Sequence, residues 1–220
     1  CHLSIVGLVL TFLLLVCFES GCKKFVEAPL PITALVSQAV YNSNATAAAA
    51  VTGIYETMVN KSIGGGSNGL SALPGLSADD FTLYPNAAPL QEQVYLNAQS
   101  STNTPPIWSD LYNVIYQANS AISGITSSAG ITTSMKHQLI GEAKFIRAFC
   151  YFYLVNLYGD VPLSLTPDYQ QNAKLARTSQ LTVYQQIIGD LDTAQSMLSD
   201  NYLAPNGTTT TERVRPNKGV

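Results

Sequence analysis

The sequence predicts an all-α fold made of antiparallel helix pairs. Three observations carry that expectation. Apolar residues recur at helical spacing in four long stretches between Ser43 and Ser199. Nowhere does a run alternate apolar and polar residues as a half-buried strand requires. Loops rich in Gly, Pro, Ser and Asn separate the stretches, which suits helices that fold back on one another.

Residues 26–42 form a Pro-containing lead-in. Ser43 or Asn44 supplies a cap, and the first helix runs to about Lys61 with Ala48, Val51, Ile54, Tyr55 and Met58 on one stripe. In the SIGGGSNGLSALPG segment that follows, the glycines and Pro74 argue against any regular element. Residues 76–106 hold two apolar pieces, FTLY and VYL, among Asn, Gln, Ser and Pro, which predicts an irregular excursion with short helical pieces. Pro105-Pro106 open the second long helix, where Trp108, Leu111, Tyr112, Ile115, Asn119 and Ile122 share a face. Trp108 begins that stripe and is expected in the core, and Gly124 or Gly130 ends the run.

The third helix spans Thr133 to about Tyr158. Its second half, FIRAFCYFYLVNLY, is apolar nearly all round and is expected to be buried on most sides, with Phe149, Cys150, Tyr153 and Leu154 inside. Gly159 stops it, and Pro162 forbids continuation. Arg147, inside the apolar run, must meet a carboxylate or carbonyls, because an unpaired buried guanidinium is very costly. Glu142 lies five residues away, out of helical register, so both charges are expected to pair with neighbouring elements. The fourth helix, Leu181 to Ser199, carries Val183, Tyr184, Ile187, Ile188, Leu191, Ala194 and Leu198 on its apolar stripe, with Asp190 and Asp192 expected on the wet side.

Composition narrows the function. Charged residues are 11% of the 220, against roughly 25% in an average soluble protein. The net charge of −3 excludes the basic face that a nucleic-acid binder needs. A hydrophobic fraction of 46% excludes a wholly disordered chain. Two catalytic patterns overlap in residues 64–69: Gly65-Gly66-Ser67-Asn68-Gly69 fits G-x-S-x-G, and Gly64, Gly66 and Gly69 fit G-x-G-x-x-G. Neither has the strand–turn–helix context that its chemistry needs, so the loop reads as flexible punctuation. Beyond the first residues the only histidine is His137, and no Cys-x-x-Cys or other metal-ligand spacing occurs. The sequence therefore points to no catalytic residue, no metal and no cofactor.

Residues 3–18, LSIVGLVLTFLLLVCF, carry no charge. At 1.5 Å each they span about 24 Å, short of the roughly 30 Å hydrocarbon core. Ser20-Gly21-Cys22 follows, the small-residue and cysteine pattern of a bacterial lipoprotein signal, which predicts cleavage before Cys22 and its lipidation. Glu19 departs from the aliphatic residue usual there. The alternative is an uncleaved anchor with Lys23 and Lys24 as its stop; the short span favours the signal, residues 1–21. The chain opens on Cys1-His2 rather than Met, so signal residues are expected to precede Cys1. Cys150 is then left as a small hydrophobe.

Three segments carry a resemblance. They are WSDLYNVIYQAN, Trp108–Asn119; GEAKFIRAFCYFYLVNLYGDVPL, Gly141–Leu163; and RTSQLTVYQQIIGDLDTA, Arg177–Ala194. In that order and spacing they resemble the SusD/RagB family, surface glycan-binding lipoproteins of Bacteroidetes, and the likeness covers about residues 22–220. It implies a tetratricopeptide-like arrangement of the helix pairs, although no clean 34-residue period is present. It implies an outer-membrane lipoprotein, exposed at the cell surface, that hands oligosaccharides to a SusC-like TonB-dependent transporter without chemistry of its own. Residues 215–220 resemble the approach to the family's next helix, so a further C-terminal part is expected, and the chain without it should bind poorly. Sugar recognition of this kind stacks aromatic faces on ring C–H groups and bonds hydroxyls through Asn and Asp. The excursion offers Asp79, Asp80, Tyr84 and Tyr95 as candidates, with Asn86, Gln91 and Asn97 beside them. The rival readings are a tetratricopeptide-like protein-interaction scaffold in the envelope and an envelope hydrolase; for the latter, Asp79-Asp80 and Asp190/Asp192 are poorly placed as catalytic pairs.

Overall fold

The structure is a computed structural model, and it describes residues 40–100 and 104–219. The expected signal, Cys22 and the lead-in up to residue 39 lie outside the described residues.

Four long helices dominate, in agreement with the all-α expectation. They are α1 (Asn44–Asn60), α4 (Ile107–Ser127), α5 (Thr133–Tyr158) and α7 (Gln180–Met197). Between them lie three short helices, α2 (Ala72–Ser77), α3 (Pro89–Tyr95) and α6 (Tyr169–Asn172). Consecutive long helices pack side by side, α4 on α5 and α5 on α7, with α1 against both α4 and α5. Local chemistry sets the ends. The Ser43 hydroxyl accepts from the Thr46 N–H and opens α1. The Ser179 hydroxyl accepts from the Thr182 N–H and opens α7. Gly159 closes α5 at φ +69°, backbone that side-chain-bearing residues rarely adopt.

Five expectations need correction. Residues 72–77 are helical despite Pro74 and Gly75, because the proline stands in the first turn, where its missing N–H has no intrahelical partner to lose. The helix α4 runs through Gly124 to Ser127; a methyl at Gly124 would fall into the Tyr41 ring, so the glycine serves close packing rather than a stop. Short antiparallel ladders do occur: β1 (Val161–Pro162) with β2 (Arg177–Thr178), and β3 (Tyr202–Leu203) with β4 (Thr209–Thr210). Two residues per strand are too few to show alternation. The GGGSNG loop is tightly wound rather than loose, since a methyl at Gly64 or Gly69 would strike backbone of Val59 or Gly65.

The fifth concerns α5. Its centre is buried as expected, with Tyr151, Cys150, Ile146 and Leu154 nearly or wholly inaccessible. One face is not. Phe145, Phe152 and Leu157 are exposed, and Phe149 and Tyr153 are half-buried. On α7, Ile188 and Leu191 of the expected stripe are exposed as well, because only the Val183, Ile187, Asp190 and Ala194 line faces α5.

Candidate functional site

Among the described residues, buried charged groups of the helix bundle are paired across elements. Arg147 on α5 donates from Nε to Asp190 Oδ2 and from Nη2 to Oδ1, both at 2.8 Å, and from Nη1 to Asn119 Oδ1 of α4 at 2.7 Å. Lys144 Nζ stands 3.5 Å from Asp190 Oδ1. The bidentate fork matches the planar carboxylate, the geometry in which such pairs are strongest. Asp190 is wholly inaccessible, which overturns its expected place on the wet side; Asp192 is exposed. Burial wins because Arg147 already stands inside the bundle and its guanidinium needs a countercharge there.

The second group is Glu142 with Arg215. Arg215 Nη1 donates to both Glu142 oxygens, at 3.0 and 2.8 Å, and Nη2 donates to the Ala48 carbonyl and the Thr52 hydroxyl of α1. Gln138, one turn before Glu142, donates to Glu142 Oε1 and to the Pro216 carbonyl and accepts from the Ser199 N–H. Burial pushes the Glu142 carboxyl up from its ordinary range, while Arg215 and the Gln138 amide oppose that. Tyr55 beside it is held in its neutral form by burial and by the nearby Glu142 charge. Glu142 and Arg147 thus pair with neighbouring elements, as their spacing requires. These groups hold helices together and lie too deep to meet a ligand.

A third tie fixes the excursion to the bundle. Asp110 Oδ2 accepts from the Ser62 N–H at 3.1 Å and from its hydroxyl at 2.8 Å, and Lys61 Nζ stands 3.4 Å from Oδ1. Gln91 donates from Nε2 to the Ser67 carbonyl and accepts from the Ala88 N–H, so it braces the glycine loop and caps α3. Asn97 takes left-handed backbone at φ 51° and exchanges hydrogen bonds with Ser77 through both ends of its amide. Tyr95 packs partly into the core. Gln91, Asn97 and Tyr95 therefore shape the excursion from within.

The remaining candidates form an outward corner. Asp79 and Asn86 both take left-handed backbone, φ 62° and 65°, which Asp and Asn tolerate better than most residues. The chain between them turns Asp79, Asp80, Phe81, Tyr84 and Asn86 into solvent. Tyr84 is 67% exposed. Phe81, which sequence reasoning passed over, lies across Gly75, where any larger residue would strike its ring. The legible signal for it was the FTLY piece.

Next to this corner is a depression of about 150 Å³ between α2, α3 and the near ends of α4 and α5, lined by Leu73, Val94, Ile107, Leu157 and Tyr158. It is smaller than the roughly 300 Å³ at which small-molecule pockets begin. Its wall is stiffened by Trp108, whose ring meets Tyr158 edge-on at 5.0 Å with the Arg177 guanidinium 5.7 Å above it. Among the described residues no cluster of His, Cys, Asp and Glu could hold a metal ion, and no helix is long and apolar enough to cross a membrane.

The family model described as SusD-like, starch-binding associating with outer membrane, matches residues 34–214. The chain belongs to the SusD-like family. SusD-like protein P25 of Formosa agariphila is 30% identical across 89% of this chain and 38% of its own length. SusD-like protein P2 of the same organism is 28% identical across 87% of this chain and 38% of its own. The chain therefore spans well under half the length of these relatives. Among solved structures, a SusD superfamily protein from Bacteroides vulgatus is 26% identical with a TM-score of 0.63, over 81% of this chain and 38% of that one. A laminarin-binding SusD-like protein matches with a TM-score of 0.64 at 23% identity, over 81% of this chain and 38% of that one. The SusD-like fold accounts for the tetratricopeptide-like pairing of the long helices. The buried ion pairs belong to the scaffold of this fold.

Proposed function

We propose that this chain is the N-terminal part, residues 22–220, of a lipoprotein tethered at Cys22 to the outer membrane and exposed at the cell surface, with residues 1–21 as its signal. It binds an oligosaccharide, leaves it unaltered and delivers it to a SusC-like TonB-dependent transporter. Membership of the SusD-like family carries this reading. The outward corner supports it: Phe81 and Tyr84 offer rings for sugar C–H faces, and Asp79, Asp80 and Asn86 offer groups for hydroxyls, while Tyr95 packs partly into the core and anchors α3. An open platform of this kind suits weak, releasable contacts. The small depression beside it does not suit an oligosaccharide.

Laminarin and starch are the first glycans to try, since the relatives and the family description name them. Affinity gels or calorimetry on the full gene product, with product analysis alongside, should give binding without cleavage. Tyr84→Ala should weaken binding about fivefold or more, the loss of over about 1 kcal/mol expected when a residue that carries binding energy is truncated. Binding unaffected by Tyr84→Ala and Asp80→Ala together would remove the corner from the site. Cleaved glycan traced to this chain would refute the non-enzymatic reading, and purification without a TonB-dependent partner would count against delivery.

A further inference from the structure

The excursion between α1 and α4 is one-sided in charge. From Ser62 to Met135 the sequence holds no Lys, Arg or His, while it holds Asp79, Asp80, Glu92 and Asp110. Asp110 is buried against Ser62 and Lys61. The other three acids are exposed, and among the described residues no cation lies within 4 Å of the Asp79 or Asp80 carboxylate. Cations that border the excursion are engaged elsewhere. Lys61 Nζ stands 3.4 Å from Asp110 Oδ1. Arg177 donates from Nη1 to the Tyr158 and Asp160 carbonyls and lays its guanidinium over the Trp108 ring.

This arrangement bears on which ligands the outward corner accepts. Carboxylate and sulfate groups on a sugar call for guanidinium forks or ammonium groups, which replace the water lost around the anion. The corner offers neither. It sets Asp79 and Asp80 next to the exposed rings of Phe81 and Tyr84, where a stacked sugar would carry its substituents. Backbone bonds fix the pair there: the Asp79 N–H donates to the Leu76 carbonyl and the Asp80 N–H to the Gly75 carbonyl at 2.9 Å. A neutral hydroxyl can donate to such a carboxylate, whereas a second anion brought beside it is rejected. At about 5 Å in water, one sugar anion facing two carboxylates loses about fifteenfold in affinity, and screening at about 0.1 M salt brings that to about fivefold.

We infer that the corner selects uncharged oligosaccharides and turns away those that bear carboxylate or sulfate groups. The inference rests on the proposed glycan role of the corner and adds the ligand's charge class to it.

The test takes the full gene product through affinity gels with laminarin, starch and mannan on one side and alginate, polygalacturonate and carrageenan on the other. Binding should occur on the neutral side alone. Each neutral polysaccharide that binds is then compared by calorimetry with its own carboxymethylated form. That form should bind at least about fivefold more weakly at about 0.1 M salt, and the gap should close at about 1 M, where screening reaches about 3 Å. Asp79→Asn with Asp80→Asn should cut the gap to about twofold or less, since Asn keeps the shape and tolerates the left-handed turn at position 79. Glu56→Gln with Asp192→Asn, at exposed positions of α1 and α7, removes the same charge elsewhere and should leave the gap in place. Three results would overturn the inference and leave glycan binding standing: an anionic polysaccharide bound as tightly as the neutral ones, a gap that the Asn pair does not move, or a gap that the control closes as well. Binding to no polysaccharide on either side would remove the glycan reading, and the charge selection with it.

Discussion

Removing the Asp190 carboxylate isolates one interaction on which the α4–α5–α7 layer depends. In Asp190→Ala the Arg147 guanidinium, 5% exposed, keeps only the neutral Asn119 oxygen and loses both 2.8 Å bonds to the carboxylate. Lys144, 3.5 Å from the same carboxylate, adds a like charge once it is gone. Breaking a buried pair from one side costs about 3–5 kcal/mol, most of it the stranded charge. With a urea slope of about 2 kcal/mol/M, the unfolding midpoint should fall by about 1.5–2.5 M. Arg147→Met combined with Asp190→Leu removes both charges at similar volume, and should return stability to within about 1 kcal/mol of the parent or above it. Urea unfolding followed by far-UV circular dichroism on all three proteins is the assay. A loss below about 1 kcal/mol for Asp190→Ala at unchanged slope would refute the reasoning. So would a double variant no better than the single one.

Other expectations follow from the same geometry. Tyr151→Phe removes a hydroxyl that donates to the Ser164 carbonyl and accepts from the Ser164 N–H, both buried, and should cost about 1–3 kcal/mol in urea unfolding. Gly189→Ala adds a methyl where nothing lies within 4 Å and should stabilise by about 0.5–1 kcal/mol, whereas Gly124→Ala, facing the Tyr41 ring, should destabilise; thermal melts of the two read opposite signs. Burial pushes the Cys150 thiol far above its ordinary range, so at pH 8 it holds almost no thiolate and should resist alkylation until the chain unfolds, as mass spectrometry would show. Cys22→Ala should release the full gene product from membranes and abolish incorporation of labelled palmitate; a variant that stays membrane-bound with residues 1–21 attached would favour the uncleaved anchor.

The helices were legible because burial periodicity and capping are local. Ser43, Gly159 and the 133–158 stretch could be read without a partner in view. The stripe on α7 also contained the answer for Asp190: with Ile187 and Ala194 it keeps i, i+3, i+7 spacing, so position argued for burial while chemistry argued for water. What decided between them was Arg147, 43 residues away and on another helix. Arg215 was illegible for the same reason at greater range, since its partners lie on α1 and α5. The outward faces of Phe145 and Phe152 misled in the opposite sense, because an apolar side chain shows that a surface is to be covered but not what covers it. Of the candidate corner, the sequence showed residue types, while the left-handed turns at Asp79 and Asn86 and the seat of Phe81 on Gly75 emerged only in three dimensions.

The Glu142–Arg215 bond has a consequence for how the polypeptide is made. Its partners are 73 residues apart, and synthesis proceeds from the N-terminus at about 5–20 residues per second. Glu142 therefore waits for about 4–15 seconds after leaving the ribosome before its counter-ion exists. During that interval α1, α4 and α5 are all present, but the seam where Ala48 and Thr52 face Glu142 holds an acid without a base. The acid must stay hydrated or protonated, and either keeps the seam ajar. The seam closes only when Arg215 arrives, so the oldest helix of the bundle is locked by a residue made long after it.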